Sequence, residues 1–295
     1  MTESNQHIKD YPLYVAGKAY KTERWLDVQD KYKQTTFARV ALADEKTLEK
    51  AIQSAVKAEK EMAKLEPFQK QKILLHCVKR FNEMRDELTE ILIAEGGKPR
   101  KAAVAEVERL INTFQIAADA VTQLDEGKLI PLAVTAASSG YQGFIKQVPI
   151  GAVSLISPFN FPLNLTAHKI APAIAAGCPF VLKPASLTPI SAIKIAEVLA
   201  ETDLPKGAFS VLPCPREHAD VLVTDDRFKL LSFTGSDVVG WDMKARAGRK
   251  KVTLELGGNA AVLVEPDTEI TDAFIDRMIS GAYNHAGQVC ISVQR

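Results

Sequence analysis

From Gly151 to Glu255 the chain alternates short apolar runs with helix-forming stretches, and this rhythm limits the possible folds more than any other feature. The apolar runs at 152–156, 180–183, 209–212, 229–233 and 252–255 read as strands. Helical stretches run from Pro162 to near Gly177, then over 190–199, 216–223 and 236–247, the last closed by Gly248. Strands this short and apolar, separated by helices, predict a parallel sheet covered on both faces. Ligands of such sheets bind beyond the carboxyl ends of the strands. One more strand is expected to begin at 260–264, followed by a helix over 270–285.

The first half reads differently. Residues 11–42 form short strands and turns, broken at Gly17 and at Asp27-Val28-Gln29-Asp30. Asp44 then serves as N-cap for a helix carrying Leu48, Ile52, Ala55, Val56 and Met62, in a helical region that Pro67 interrupts. A second helix carries Ile73, Leu74, Cys77, Val78 and Phe81. A third carries Leu88, Ile91, Leu92 and Ala94 and stops at Gly96-Gly97-Lys98-Pro99. A fourth, over 101–123, places Val104, Val107, Leu110, Ile111, Phe114 and Ala117 on one face. Extended runs at 129–132 and 141–145 flank a Ser138-Ser139-Gly140 turn and predict a hairpin.

With 46% hydrophobic and 25% charged residues in 295, the composition is that of a soluble globular protein. A net charge of +1 offers nothing to nucleic acid or an anionic membrane. No apolar run reaches the length of a membrane span, and Met1-Thr2-Glu3-Ser4-Asn5-Gln6 has no signal-peptide core. Cys77, Cys178, Cys214 and Cys290 lie far apart, and the five histidines are equally scattered. No metal site is therefore expected, and the cytoplasm is the expected location.

Five segments carry candidate chemistry. Cys290, in Gly287-Gln288-Val289-Cys290, is a candidate nucleophile; it becomes reactive when backbone N–H groups, a cofactor charge or a helix end favour its thiolate. Glu255, in Leu254-Glu255-Leu256-Gly257-Gly258-Asn259, ends a strand and could take a proton from water if burial raised its pKa; alternatively it is a surface acid paired with Lys250 or Lys251. Asn160, in Ser157-Pro158-Phe159-Asn160-Phe161-Pro162, offers an amide donor to an oxyanion, or is a turn residue between two stiffening prolines. Phe159 and Phe161 read as core, whereas Asn164 and His168 would line a somewhat polar pocket. Cys77, Cys178 and Cys214 read as buried apolar cysteines. Lys183, ending a strand before Pro184-Ala185-Ser186, can donate to a ribose or a phosphate. The Gly235-Ser236 turn leads into a helix N-terminus that favours a phosphate, although GxGxxG is absent and a plain glycine turn reads equally well.

Taken together, Pro-Phe-Asn-Phe-Pro, Lys-Pro-Ala-Ser, Phe-Thr-Gly-Ser, Leu-Glu-Leu-Gly-Gly-Asn and Gly-Gln-Val-Cys resemble the NAD(P)-dependent aldehyde dehydrogenase superfamily, in its order and approximate spacing. The likeness extends to Glu95-Gly96-Gly97-Lys98-Pro99. It implies an α/β fold: a Rossmann-like parallel sheet with flanking helices, a β-hairpin oligomerisation element, and the start of a second α/β catalytic domain. The divisions would be an N-terminal helical part of the cofactor domain at 1–127, the hairpin at 128–150, the NAD(P)-binding region at 151–255 and the first part of the catalytic domain at 256–295.

The resemblance further implies a thiohemiacetal and then a thioester on Cys290, an oxyanion held by Asn160 and the Cys290 N–H, and hydrolysis by water that Glu255 activates. It places Ser157, Pro158, Lys183, Ala185, Ser186, Gly235, Ser236, Leu256 and Gly257 around NAD or NADP. Ser186 stands where NAD-preferring members often have a glutamate, so NADP is tolerated or preferred. Glu255 argues against a coenzyme-A-acylating branch. The substrate implied is a small-molecule aldehyde, in the branch that includes lactaldehyde, sulfolactaldehyde and succinate-semialdehyde dehydrogenases. The resemblance also implies a homodimer or homotetramer when the chain is complete, and family members continue well beyond this cysteine. The chain is thus expected to be cut short just after Cys290 and nearly inactive by itself. The alternative is an inactive nucleotide-binding or subunit-association fragment.

Overall fold

A computed structural model describes residues 8–124 and 126–295, so the polar segment 1–6 lies outside the described residues. The chain opens with β1 (Lys9–Tyr11), β2 (Leu13–Val15), β3 (Lys18–Tyr20), β4 (Trp25–Asp30) and β5 (Thr35–Ala41). Four helices follow: α1 (Glu45–Ala63), α2 (Pro67–Glu83), α3 (Arg85–Gly96) and α4 (Arg100–Leu124). Asp44 caps α1, accepting from Thr47 N at 2.8 Å. The helical region is interrupted at Pro67 as expected: α1 ends at Ala63, and Pro67 opens α2 at its first position, where the missing N–H costs nothing. The buried stripe of α4 runs through Ala103, Glu106, Val107, Leu110, Ile111 and Phe114, while Val104 is exposed, contrary to the predicted face. The predicted hairpin forms from β6 (Lys128–Pro131) and β7 (Gln142–Ile145), paired antiparallel.

The alternating region supplies β8 (Val153–Ile156), α5 (Asn164–Ala175), β9 (Phe180–Lys183), α6 (Ile190–Leu199), β10 (Phe209–Val211), α7 (Val221–Thr224), β11 (Leu230–Thr234), α8 (Asp237–Arg246) and β12 (Lys251–Glu255). Its five strands are parallel neighbours in a seven-stranded sheet ordered β12-β11-β8-β9-β10-β2-β3. The edge is the antiparallel pair β2–β3 from the N-terminal part of the chain. The other early strands form a separate sheet, β1-β5-β4.

Side chains of alternate strand residues enter two apolar cores. Phe180 and Leu182 pack with α2, α4, α5 and α6, and Val181 packs on the other face with Leu48, Ile52 and Ala55 of α1. The sheet is thus covered on both sides at its centre, as continuous apolar strands require, whereas at the edge strand β12 the alternate residues Lys251, Thr253 and Glu255 are exposed. Ile156 pairs with Lys183 and Thr234 with Glu255, so the carboxyl ends of four parallel strands lie side by side.

Two predicted elements change form. The stretch 216–223 is a 3-10 turn, Arg216–His218, followed by the four-residue α7. The expected strand at 260–264 is a single parallel bridge, Ala260 to Val293, extended by Val262 N donating to Arg295 O at 2.9 Å. Leu263 stays 89% exposed, so apolar character there is not matched by a pairing partner. After it, α9 (Asp272–Tyr283) leads into a 3-10 turn, Asn284–Gly287. No helix among the described residues is long and apolar enough to cross a membrane.

Candidate active site

Lys183 and Glu255 end strands and Ser157 directly follows one, whereas Cys290 lies in a turn after α9. Ser157 follows β8, is buried, and donates its N–H to the carbonyl of Lys183 at 3.1 Å. Its hydroxyl accepts from Thr166 Oγ1 at 3.0 Å. Pro158 and Ala185 are half-buried beside it, and Ser186 is exposed. Lys183 ends β9; burial pulls its pKa down, and its ammonium has a bond of 3.3 Å to Pro184 O.

Beyond β11, a Cβ on Gly235 would lie 2.4 Å from Phe233 Cζ, so a side chain at that turn would force the Phe233 ring to move. Ser236 begins α8 without a side-chain capping bond of its own, and Val238 N donates to Asp237 Oδ1 at 2.8 Å. Gly235 N also donates to Glu255 O at 3.0 Å, tying this turn to the end of β12. Leu256 packs against Gly240 of α8, and Gly257 is exposed. The start of the ten-residue α8, a glycine turn crowded by the Phe233 ring and a lysine at the end of β9, with β8 between, can border the phosphates and ribose of a dinucleotide.

Beside this surface lies a cleft of about 1030 Å³ whose lining includes Glu255, Cys290, Phe159, Phe161, His168 and Arg109. Cys290 is exposed, whereas Cys77, Cys178 and Cys214 are buried. Burial pushes the Cys214 thiol up to about 11 and raises those of Cys77 and Cys178 as well. Cys290 is delivered by a tight turn in which His285 and Ala286 take left-handed backbone angles, φ 52° and 54°. The Gly257-Gly258 turn approaches it so closely that a Cβ on Gly258 would stand 2.9 Å from Cys290 O. Asn160, half-buried, donates from Nδ2 to Gln288 O at 2.9 Å, and its Oδ1 accepts from Phe161 N at 3.1 Å. The amide is thereby oriented, with its second N–H not used in either bond.

Glu255 is exposed to this cleft and lacks the burial expected of it. Nor does it pair with Lys250, whose ammonium donates to Ala247 O at 3.0 Å. The cation near Glu255 is Lys169 of α5, a residue the sequence reading passed over. Lys169 is 6% exposed and donates to Ser232 Oγ at 2.9 Å; burial draws its pKa down to about 8, opposed by the charge of Glu255.

His168 lines the cleft as expected, and desolvation together with the charges of Arg109 and Lys169 keeps its pKa below the usual value. Asn164 does not line the cleft: it is buried, with its amide oriented to accept from Arg109 Nη2 at 3.0 Å and to donate to Thr113 Oγ1 at 3.2 Å. Phe159 and Phe161, read as core, are wall residues of the cleft.

Two buried carboxylates also escaped the sequence reading. Glu95 accepts from Ile190 N at 2.9 Å and Ser191 N at 2.8 Å, and from the Ser191 hydroxyl, capping α6; burial pushes it up to about 7. Glu106 caps α5 in the same way, accepting from Leu163 N at 2.9 Å and Asn164 N at 3.2 Å. Their signal was faint but present: Glu106 falls on the buried stripe of α4, three residues past Ala103 and beside Val107.

Comparison with known proteins gives a consistent result. The profile of the aldehyde dehydrogenase family matches residues 18–295. A 3-sulfolactaldehyde dehydrogenase of Priestia aryabhattai is 38% identical over 296 residues, covering 100% of this chain and 61% of that protein. Aldehyde dehydrogenase 21 of Physcomitrella patens, solved with the reaction product succinate, is 47% identical with a TM-score of 0.94, over 97% of this chain and 60% of that one. An NADP-dependent glyceraldehyde-3-phosphate dehydrogenase of Bacillus halodurans, solved with NADP, is 27% identical with a TM-score of 0.91, over 96% of this chain and 60% of that one. The chain therefore spans about three fifths of the length of these relatives.

Proposed function

The chain belongs to the aldehyde dehydrogenase family, and from that premise we propose that it oxidises an aldehyde to a carboxylic acid with NAD(P)⁺ through a thioester on Cys290. The observation that carries this reading is the convergence of Cys290 and Glu255 on one cleft, with Asn160 bonded to the loop that delivers Cys290. In the first step the Cys290 thiolate adds to the aldehyde carbon. The second N–H of Asn160 and the backbone N–H of Cys290 hold the oxyanion, a contribution worth about 10²–10³ in rate for one such donor. The nicotinamide supplies a hydride acceptor, and loss of hydride from the carbon leaves the acyl group on Cys290 Sγ. Glu255 then takes a proton from water, the water oxygen adds to the thioester carbon, and the Cys290 thiolate leaves with release of the carboxylic acid.

Lys183 and the Ser236 end of α8 would hold the cofactor ribose and pyrophosphate, with Ser157, Pro158, Ala185, Leu256 and Gly257 around them. Ser186 is exposed and uncharged next to this lysine, which supports acceptance of a 2′-phosphate. Ser186→Glu is expected to raise the Kd for NADP⁺ and leave that for NAD⁺ equal or lower, read by calorimetry. Weakening of both cofactors alike contradicts the assignment.

For the substrate, we favour an aldehyde that also carries an anionic group. Arg109 lines the cleft, its guanidinium 5.5 Å from the Phe161 ring centroid and held by Asn164. The relatives named above are associated with 3-sulfolactaldehyde and with succinate, both anionic. In the intact protein, Arg109→Met is expected to lower kcat/KM for a carboxylate-bearing semialdehyde by roughly 10- to 100-fold, the value of one charge-assisted contact. A neutral aldehyde of equal length should be little affected. Equal losses for both would remove Arg109 from substrate recognition.

The exposed apolar residues of the β6–β7 hairpin, Leu129 and Phe144 among them, support self-association there as a homodimer or homotetramer. A free, exposed Cys290 nucleophile suits a reducing cytoplasm. We retain 1–127, 128–150, 151–255 and 256–295 as the functional divisions of the chain.

A further inference from the structure

Lys98 and Glu106 form an ion pair whose side chains are 2% and 0% exposed. Burial draws the lysine pKa down and the carboxyl up, and their mutual attraction opposes both shifts. Such a pair is a weak source of stability, because desolvation of two charges offsets their attraction. What distinguishes this one is where its remaining contacts go. Glu106 Oε1 accepts from Leu163 N and Asn164 N, the first turn of α5, which has no side-chain cap of its own. A carboxylate there satisfies otherwise orphaned donors and suits the positive end of the helix. Lys98 Nζ sits 3.8 Å from the Phe161 ring centroid, a close cation–π contact.

Between and beside these anchors is Asn160. Its Oδ1 accepts from Phe161 N, its Nδ2 donates to Gln288 O, and Phe161 leads through Pro162 to the capped turn. The pair therefore grips the ring one residue after Asn160 and the backbone three and four residues after it. Neither Lys98 nor Glu106 bonds to Cys290 or Glu255 in the structure.

We propose that Lys98–Glu106 is a positioning pair that fixes the Asn160 amide at the point where the oxyanion develops. This rests on the reaction proposed above. Misplacing such a donor slows addition to the carbonyl and the hydride loss that follows, whereas cofactor binding through Lys183 and the Ser236 turn, to which neither residue bonds, is unaffected. Glu106→Gln retains an oxygen that can accept from Leu163 and Asn164, so much of its effect should be spared relative to Glu106→Ala.

The test is a rate cycle on the intact protein, with the pre-steady-state burst of reduced cofactor as readout and calorimetric cofactor Kd alongside. Lys98→Met and Glu106→Ala are expected to slow the burst by roughly 10- to 100-fold, the scale of an ångström-sized misplacement. Glu106→Gln should be slowed less than Glu106→Ala, and the Kd should not move. In an Asn160→Ala background, Lys98→Met should add nothing further, because the group it positions is gone. A purely structural pair would instead give independent, multiplying losses. Phe161→Leu keeps the buried pair and removes the ring that Lys98 touches, along with that ring's contacts to Arg109 and His285; read with a neutral aldehyde that does not engage Arg109, it provides the same comparison should Lys98→Met fail to fold. A burst unchanged in these variants, or losses that multiply with Asn160→Ala, overturns the positioning role alone. A parent protein with no burst overturns the proposed reaction and this inference with it.

Discussion

Cys290→Ala is expected to abolish aldehyde-dependent formation of reduced cofactor, a loss of about 10⁴-fold or more for removal of a nucleophile that no neighbour replaces. Any esterase side activity should vanish with it, since both reactions pass through an acyl group on the same sulfur. Cofactor affinity should be unchanged, because Lys183, Ser186 and the Gly235-Ser236 turn lie at other strand ends. Three cysteines remain in the variant, but each is buried with its thiol pKa raised, so none can substitute. Steady turnover by the alanine variant in the intact protein, followed by absorbance of the reduced nicotinamide, would remove Cys290 from the chemistry.

Glu255→Gln should divide the reaction rather than stop it. In the proposed reaction hydride loss depends on Cys290 and Asn160 and not on Glu255, so the first turnover should yield a full burst of reduced cofactor. Steady turnover should then fall by roughly 10²–10⁴-fold, the usual contribution of a general base, because water is no longer activated against the thioester. The structure gives this role a specific setting. Glu255 is open to the cleft, where water can reach it, and Lys169 stands behind it with a pKa drawn down to about 8. Simultaneous loss of burst and steady rate would assign Glu255 to an earlier step.

The sheet was readable because its central strands are buried on both faces and carry unbroken apolar runs such as Phe180-Val181-Leu182. The edge pair β2–β3 was not placed, because nothing local in Leu13-Tyr14-Val15 points to Val211 as its neighbour. The same limit explains 260–264: Ala260 to Val264 have the composition of a strand, but pairing depends on what lies beside them, and only Ala260 forms a bridge. In α4, Val104 and Ala103 are adjacent, and periodicity alone chose the wrong one as the buried position.

The site divides along similar lines. Asn160, Lys183, Glu255 and Cys290 were legible because they occupy turns and strand ends, where a polar residue among glycines and prolines has few structural reasons to be present. Lys98, Glu106, Arg109 and Lys169 belong to helices or a helix junction, where charged residues ordinarily face solvent. Lys169 was the most detectable of these, a lysine set among the buried Ala167, Ile170 and Ala171. Recognising what it faces required the sheet, since its partner Ser232 and the nearby Glu255 come from β11 and β12.

The most direct test of the thioester on Cys290 is to trap it. The Glu255→Gln form of the intact protein, mixed with oxidised cofactor and a carboxylate-bearing semialdehyde and quenched in acid after the burst, should carry one added acyl group by intact mass. Peptide mapping should place that group on the segment containing Cys290, and hydroxylamine should remove it, as expected for a thioester. A full burst with no acyl adduct, or an adduct on any other residue, would contradict the account.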